Sequence, residues 1–443
     1  MTNISSFTGL QTALRGILAH QQAIDTSGHN IANANTEGYS RQQTTMSTTN
    51  ALLTPVAGGF IGIGTGVEVT AFNRIRDAFL DVQYRAQSMQ LGYNATTSKS
   101  LDQVELGLAE PGDTGLQAQL GKFWSAWSDL ANSPDGIASR QSLLDQARNV
   151  SQTFQQIDQQ LSTVSSQATA EYNSEVGPQG EVVQYATEIA SLNTAIKQFT
   201  AMGETPNDLM DRRDLLLDKL SALSQVSTTD NGDGTIDVAF GNITLVSGTS
   251  GVNWPAAGFT PTTGKLGALN DVSKTGGVVD TYRAMLNTAA KTLADGVNAV
   301  YNPTSTAGGN FFNYTAGSEA STLGVAVAGP SAIVTSANPA TPYGNDIALA
   351  VANLRNGAPD AAYSAFVSRI GNDLNSAKRT EANAQALVDS VDDRRQSVSG
   401  VSMDEEMTNM VKFQRGFQAS SRVMSTVDEM LDNLINRTGR VGL

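Results

Sequence analysis

The chain has 443 residues, with 28 Lys and Arg against 42 Asp and Glu for a formal charge of −14, and it contains no cysteine. The acidity disfavours nucleic acid and anionic membranes as partners, the missing cysteine excludes disulfides and thiolate chemistry, and the length asks for two or three domains. No segment approaches the roughly 20 consecutive apolar residues of a membrane span, and the start of the chain lacks a basic region followed by an apolar run, so any export is expected to proceed without a cleaved signal peptide.

A first helix is predicted from about Ser5 to Asn33, capped by Ser5 or Ser6, with a 3,4 apolar stripe at Phe7, Leu10, Leu14, Ile17, Ile24 and Ile31. Gly28 should weaken its distal end by about 1 kcal/mol relative to alanine. The run Asn30 to Arg41 is too rich in Asn and Gly to continue the helix and predicts a defined turn. Gly58, Gly59, Gly62, Gly64 and Gly66 then interleave with Phe60, Ile61, Ile63, Val67 and Val69, which suits short extended pieces.

Helical patterns dominate from Arg74 to Val226, exemplified by Leu143, Ala147, Val150, Phe154, Ile157, Leu161, Val164 and Ala168. A second stripe runs Val182, Tyr185, Ile189, Leu192, Ile196 and Phe199. Such long stripes favour lengthwise packing in a bundle. At Ser227 the pattern changes to alternation around Ile236, Val238, Phe240, Ile243, Leu245 and Val246, with Asp233-Gly234 as a hairpin signal, and predicts a small β insert over 227–275. Helix resumes at Tyr282, Leu286, Ala289, Leu293, Val297 and Val300. A Gly/Pro/Ser/Ala-rich stretch at 303–345 offers one hairpin, Phe311-Phe312 with Leu323 to Val327.

Helical pattern from Tyr363 to Val398 leads to Gly400, and Ser402 with Glu405 makes a capping box for the last helix. That helix carries the stripe Met410, Phe413, Phe417, Met424, Val427, Leu431 and Leu434. Two matching stripes at opposite ends of one chain ask for partner helices, either each other or neighbouring subunits. The fold class expected is mainly α with a small β insert: terminal coiled-coil helices (1–50 and 401–443), an elongated helical bundle with minor β pieces (51–226 and 276–400), and an outer β domain (227–275).

Chemistry is sparse. His20 and His29 are nine apart, which misses the spacing of a helical zinc pair. Asp230-Asn231-Gly232-Asp233-Gly234 lacks the glycine offset and closing glutamate of a calcium loop. Asp211, Asp214 and Asp218 with Arg212, Arg213 and Lys219 form a dense charged face, read as solvated and salt-bridged opposite Leu209, Leu216, Leu217, Leu220 and Leu223. No nucleophile and base can be assembled, and no enzyme activity, cofactor or metal is expected.

Asn30-Ile31-Ala32-Asn33, Thr36 and Gly38-Tyr39-Ser40-Arg41 resemble the signature after the first helix of the bacterial flagellar axial proteins of rod, hook and junction. Met403 to Met407, Phe413 to Ser420 and Ser425 to Leu431 resemble their shared last helix. In the interior, Gly62 to Val67, Glu110 to Leu116, Phe123 to Pro134 and Pro206 to Asp214 are similar to the hook-associated branch of that family. The resemblance implies a structural, self-assembling protein of the bacterial flagellum that joins hook to filament outside the cell after type III export. It implies as partners copies of the chain in a ring or helical layer, hook protein below, a second junction protein or filament subunits above, and an export chaperone on the last helix. The assembly interface expected is the two stripes with Asn30, Asn33, Tyr39 and Arg41, the last two as intersubunit groups or as turn packing. A hook or distal-rod subunit is the alternative within the class; a secreted enzyme on a flagellar scaffold and an unrelated adhesin are the alternatives outside it.

Overall fold

The computed structural model describes residues 7–437 apart from 57–58, 111, 252–253, 255–257, 304–308 and 339. Ser5 and Ser6, expected to cap the first helix, lie outside the described residues, as do the side chains of Phe7 and Leu434.

Helix α1 (Phe7–Ala32) leads through a turn into a long β ribbon in which β1 (Gln42–Thr48) pairs antiparallel with β4 (Val67–Arg74) and, beyond an interruption, β2 (Leu52–Val56) pairs with β3 (Gly59–Ile63). Five helices follow: α2 (Ala78–Leu108), α3 (Leu116–Asn132), α4 (Ile137–Glu175), α5 (Glu181–Ala201) and α6 (Asn207–Leu223). A four-stranded antiparallel sheet takes β5 (Val226–Asp230), β6 (Ile236–Phe240), β7 (Ile243–Ser247) and β8 (Ser250–Gly251) in sequence order. Then come α7 (Gly264–Ser273), α8 (Val278–Tyr301), β9 (Phe312–Asn313), α9 (Glu319–Thr322), β10 (Gly324–Val325), α10 (Asp346–Ala352), α11 (Ala358–Ser399) and α12 (Met403–Asp432).

The long stripes are core. All eight stripe positions of α4 from Leu143 to Ala168 are buried, as are Tyr282, Leu286, Ala289, Leu293 and Val297 of α8. They meet α2, α3, α7, α10 and α11 in one hydrophobic core. A second core joins Val182 and Ile189 of α5 and Leu216, Leu217 and Leu220 of α6 to Val238, Phe240 and Val246 of the sheet. Asn193 seats that sheet on α5: its Nδ2 donates to the carbonyls of Ile236 and Gly248, while its Oδ1 accepts from Arg213.

Two stretches differ from the sequence reading. The strands of the sheet end at Gly251, and 264–273 is the helix α7, because Leu266, Leu269 and Val272 recur at threes and insert into the cores rather than alternating. The 303–345 stretch does contain the expected pairing, β9 with β10, but it also supplies core. Phe311 and Phe312 are fully buried against Phe123, Trp127 and Tyr301, with ring centroids 5.1 Å apart for Trp127 and Phe311. Each large ring buries roughly 150–250 Å². That area explains how a segment poor in periodic signal is held: Arg140, itself buried, anchors it by donating to the carbonyls of Pro330 and Ile333.

Candidate functional site: the joint between the terminal helices and the bundle

α1 and α12 pack on each other as an antiparallel pair, since Gly9 faces Val427, Gly16 faces Ser420 and His20 faces Gly416. Each helix sets glycine against a side chain of the other, Gly9 and Gly16 of α1 and Gly416 of α12. On α1 the buried positions are Ala13, Gly16, Ala19, Ala23, Ser27 and Asn30, a heptad-like seam lying between the residues of the expected apolar stripe. A Cβ on Gly16 would come within 2.7 Å of the Ser420 hydroxyl, and one on Gly416 within 2.6 Å of the His20 ring, so a larger residue at either position would displace a side chain of the partner helix.

The two stripes therefore fare differently. Met410, Phe413, Phe417, Met424, Val427 and Leu431 are half-buried along α12, and Phe413 lies 6.4 Å from the His20 ring. On α1, Leu10, Ile17, Ile24 and Ile31 are half-buried beside the seam, and Leu14 is 46% exposed. Hydropathy alone marks the large residues of α1, whereas close packing selects the small ones.

The Asn-rich turn closes on itself. Asn30 Oδ1 accepts from the Gln42 backbone N–H at 2.9 Å and from the Tyr39 hydroxyl at 2.7 Å, while Asn30 Nδ2 donates to the Gln42 carbonyl at 2.8 Å. The amide thus imitates a strand partner across the turn. Asn33 Nδ2 donates to the His29 carbonyl, and Thr36 Oγ1 donates to Asn33 Oδ1. Gly38 has φ +79°, and a Cβ there would meet Leu215 of α6 at 3.0 Å, so the turn is pressed onto the bundle where only glycine suits both backbone and space.

Arg41 is the pivot. Its backbone N–H donates to the Ser399 carbonyl at the end of α11, and its carbonyl accepts from Ile75. Its guanidinium donates to Glu406 Oε1 and Glu405 Oε2, both at 2.7 Å, and Glu406 is buried in the first turn of α12. Two acids there also suit the positive end of the helix dipole. Tyr39 and Arg41 were candidates for intersubunit bonding or turn packing; their polar groups are engaged inside the protomer, closing the joint.

Beneath the turn lies an ion network that corrects the expected solvated face of α6. Asp211 and Asp218 are buried, and Asp214 sits between them. Arg74 bonds Asp211 and Asp214 at 2.8 Å, Arg76 bonds Asp81 at 2.8 Å and lies 3.2 Å from Asp214, and Arg85 bonds Asp218 at 2.7 Å. Arg395, near the end of α11, bonds Asp218 at 2.5 Å and stacks 4.0 Å over the Tyr84 ring. Asp211 Oδ2 also accepts from the Ser40 backbone N–H at 2.9 Å, which ties the turn to α6. Only Arg212 and Lys219 behave as surface groups, pairing with Glu188 and Glu37. The reason is long range: the guanidiniums come from residues 74, 76, 85 and 395, distant from α6 in sequence.

Burial opposes ionisation of Asp214, but the guanidiniums of Arg76, Arg74 and Arg85 outweigh it and hold the carboxyl below the usual range. An aspartate in the unfolded chain titrates near ~3.9. Because the folded value is the lower one, the contribution of Asp214 is fully present above the unfolded value and is lost as pH falls through the folded one. Thermal melts taken downward from neutrality should hold level to about pH 5 and then drop, and Asp214→Asn should make that drop shallower. An equal acid dependence in both proteins would show that this carboxylate is not a source of it.

The two ends of the chain, paired and keyed to the bundle through the Asn-rich turn, are the parts that match proteins of the flagellar axis. The family model "Flagella basal body rod protein" matches residues 10–39, and "Flagellar basal body rod FlgEFG protein C-terminal" matches 394–437, the two halves of this joint. The model "Flagellar hook-associated protein FlgK helical domain" matches 101–258. The chain is 31% identical to flagellar hook-associated protein 1 of Bacillus subtilis (strain 168), covering 98% of this chain and 99% of that one, and 24% identical to that of Escherichia coli (strain K12) over 96% of this chain. It belongs to the flagellar hook-associated protein 1 family. Among solved structures, the flagellar hook junction protein of Burkholderia pseudomallei shares its fold, with a TM-score of 0.61 at 16% identity over 72% of this chain and all of that one.

Proposed function

We infer that this chain joins hook to filament as a non-enzymatic adaptor, assembling through its terminal helices outside the cell after type III export. The observation that carries the reading is the α1/α12 pair: it is completed by packing at Gly16 and Gly416, locked to the bundle through Arg41, and still leaves large apolar side chains such as Leu14 uncovered. Surplus apolar surface on an otherwise finished pair suits contact with further subunits. The proposed division keeps the terminal helices (1–50 and 401–443) as the inner tube, the bundle as the wall around it and the sheet as an outward projection.

The proposed partners are copies of the chain in one ring or helical layer, hook protein below, and a second junction protein or filament subunits above, with an export chaperone on α12 beforehand. The chaperone suggestion rests on the exposed Met403, Met407, Val411, Val423 and Met430 of that helix. Electron microscopy of cells lacking the protein, with an assay for flagellin in the medium, tests the reading. Hooks without filaments and shed flagellin are expected. Missing hooks would move the protein into the rod or hook, and normal filaments would refute the junction role.

A further inference from the structure

The distal half of the β ribbon is apolar on both faces and covered on neither. The register places Leu52, Ile61 and Ile63 on one face and Leu53 and Phe60 on the other. Leu52 is 52% exposed, Leu53 66%, Phe60 72% and Ile61 54%. From 49 to 67 there is no charged residue, in a chain carrying −14 overall. Among the described residues β2 and β3 pack substantially on each other alone, whereas the proximal strands β1 and β4 pack on α1. A two-stranded ribbon is marginal by itself in water. An uncharged ribbon with unpaired edges is also a ready template for association.

The ribbon, as far as its residues are described, is held at its base alone, so its apolar end presents surface that the molecule itself leaves exposed. We propose that the β2–β3 end lies in the assembly against a second copy of this chain, on the α1 face that exposes Leu14 and Leu18 one turn apart. Two observations select a copy as the occupant. The ribbon is continuous with the terminal pair, being held at its base where Gly66 packs on Thr12 and where Arg15 Nη1 donates to the Thr65 carbonyl. Leu14 and Leu18 are 46% and 52% exposed, so each copy offers both the insert and a receiving surface. The contact is heterologous, and such contacts repeated around an axis close into rings or propagate as helices. The proposal rests on the reading that copies assemble in one layer.

The absence of cysteine makes the test direct. Chains carrying Phe60→Cys and chains carrying Leu18→Cys, co-expressed in cells lacking the native protein, are treated with a short bismaleimide on isolated hooks. A cross-linked dimer that requires both variants supports the proposal. Overturning results are a dimer formed by Phe60→Cys chains alone, a product with another protein, or no product although both variants sit at hook tips. As a second measurement, Phe60→Ser with Ile61→Ser should leave the melting of the isolated chain unchanged and reduce incorporation more than about tenfold; undiminished incorporation overturns the proposal. Wild-type protein absent from hook tips would instead sink the junction reading itself, a distinguishable failure.

Discussion

Asp211→Ala is expected to lower the unfolding free energy by about 3 kcal/mol, because removing a buried carboxylate takes the acceptor from a backbone donor and one of two partners from a buried guanidinium. The carboxylate is 5% exposed, bonds Arg74 through one oxygen and receives the Ser40 N–H through the other. Alanine leaves the Ser40 N–H without this acceptor and leaves Arg74 with Asp214 as its remaining carboxylate. The loss is concentrated at the joint, so the turn from 34 to 41 should also gain hydrogen exchange while the aromatic cluster around Trp127 stays protected. Asp211→Asn separates the two effects. It keeps an acceptor for Ser40 but loses the charge facing Arg74, and should fall between alanine and wild type. Denaturant unfolding followed by circular dichroism is the measurement, and a change under about 1 kcal/mol for alanine would show that the network is dispensable.

The contrast between the α4 stripe and this network shows what a single sequence reveals. Leu143 through Ala168 lie on one face at 3,4 spacing, and local periodicity is enough to bury them. Asp211, Asp214 and Asp218 hold equally regular spacing, yet their partners are Arg74, Arg76, Arg85 and Arg395, which no local rule brings together. One signal was available: like charges at three and four residues repel on a helix, and opposing charges within reach relieve that cost. The α1 seam was hidden for another reason. Ala13, Gly16, Ala19 and Ala23 are small and carry little hydropathy, so the eye is drawn to Leu10, Leu14 and Ile17, although the smaller residues are the buried ones. The Asn30 to Arg41 turn was legible as a turn and, through the family signature, as important; that Asn30 closes it onto Gln42 depends on geometry.

Leu14→Asp is expected to abolish incorporation into the hook-tip assembly while leaving the isolated chain as stable as wild type. Leu14 is half-exposed and outside the small-residue seam, so the charge stays hydrated in the monomer and costs within about 0.5 kcal/mol. In an assembly that covers this face the same carboxylate loses water without gaining a partner, a penalty on the order of 3 kcal/mol or roughly 150-fold in each subunit's affinity. Phe417→Asp should also block incorporation, but by another route. Phe417 is half-buried on the α12 face packed on α1, one residue from Gly416, where α12 meets His20. A carboxylate there opens the terminal pair before any subunit meets another. Its signature is lost helicity at low temperature with the main unfolding transition of the bundle unchanged, because among the described residues the two hydrophobic cores contain none from α1 or α12. Comparing the two variants distinguishes assembly from pairing: a Leu14→Asp chain that incorporates normally would remove α1 from the intersubunit contacts, whatever Phe417→Asp does.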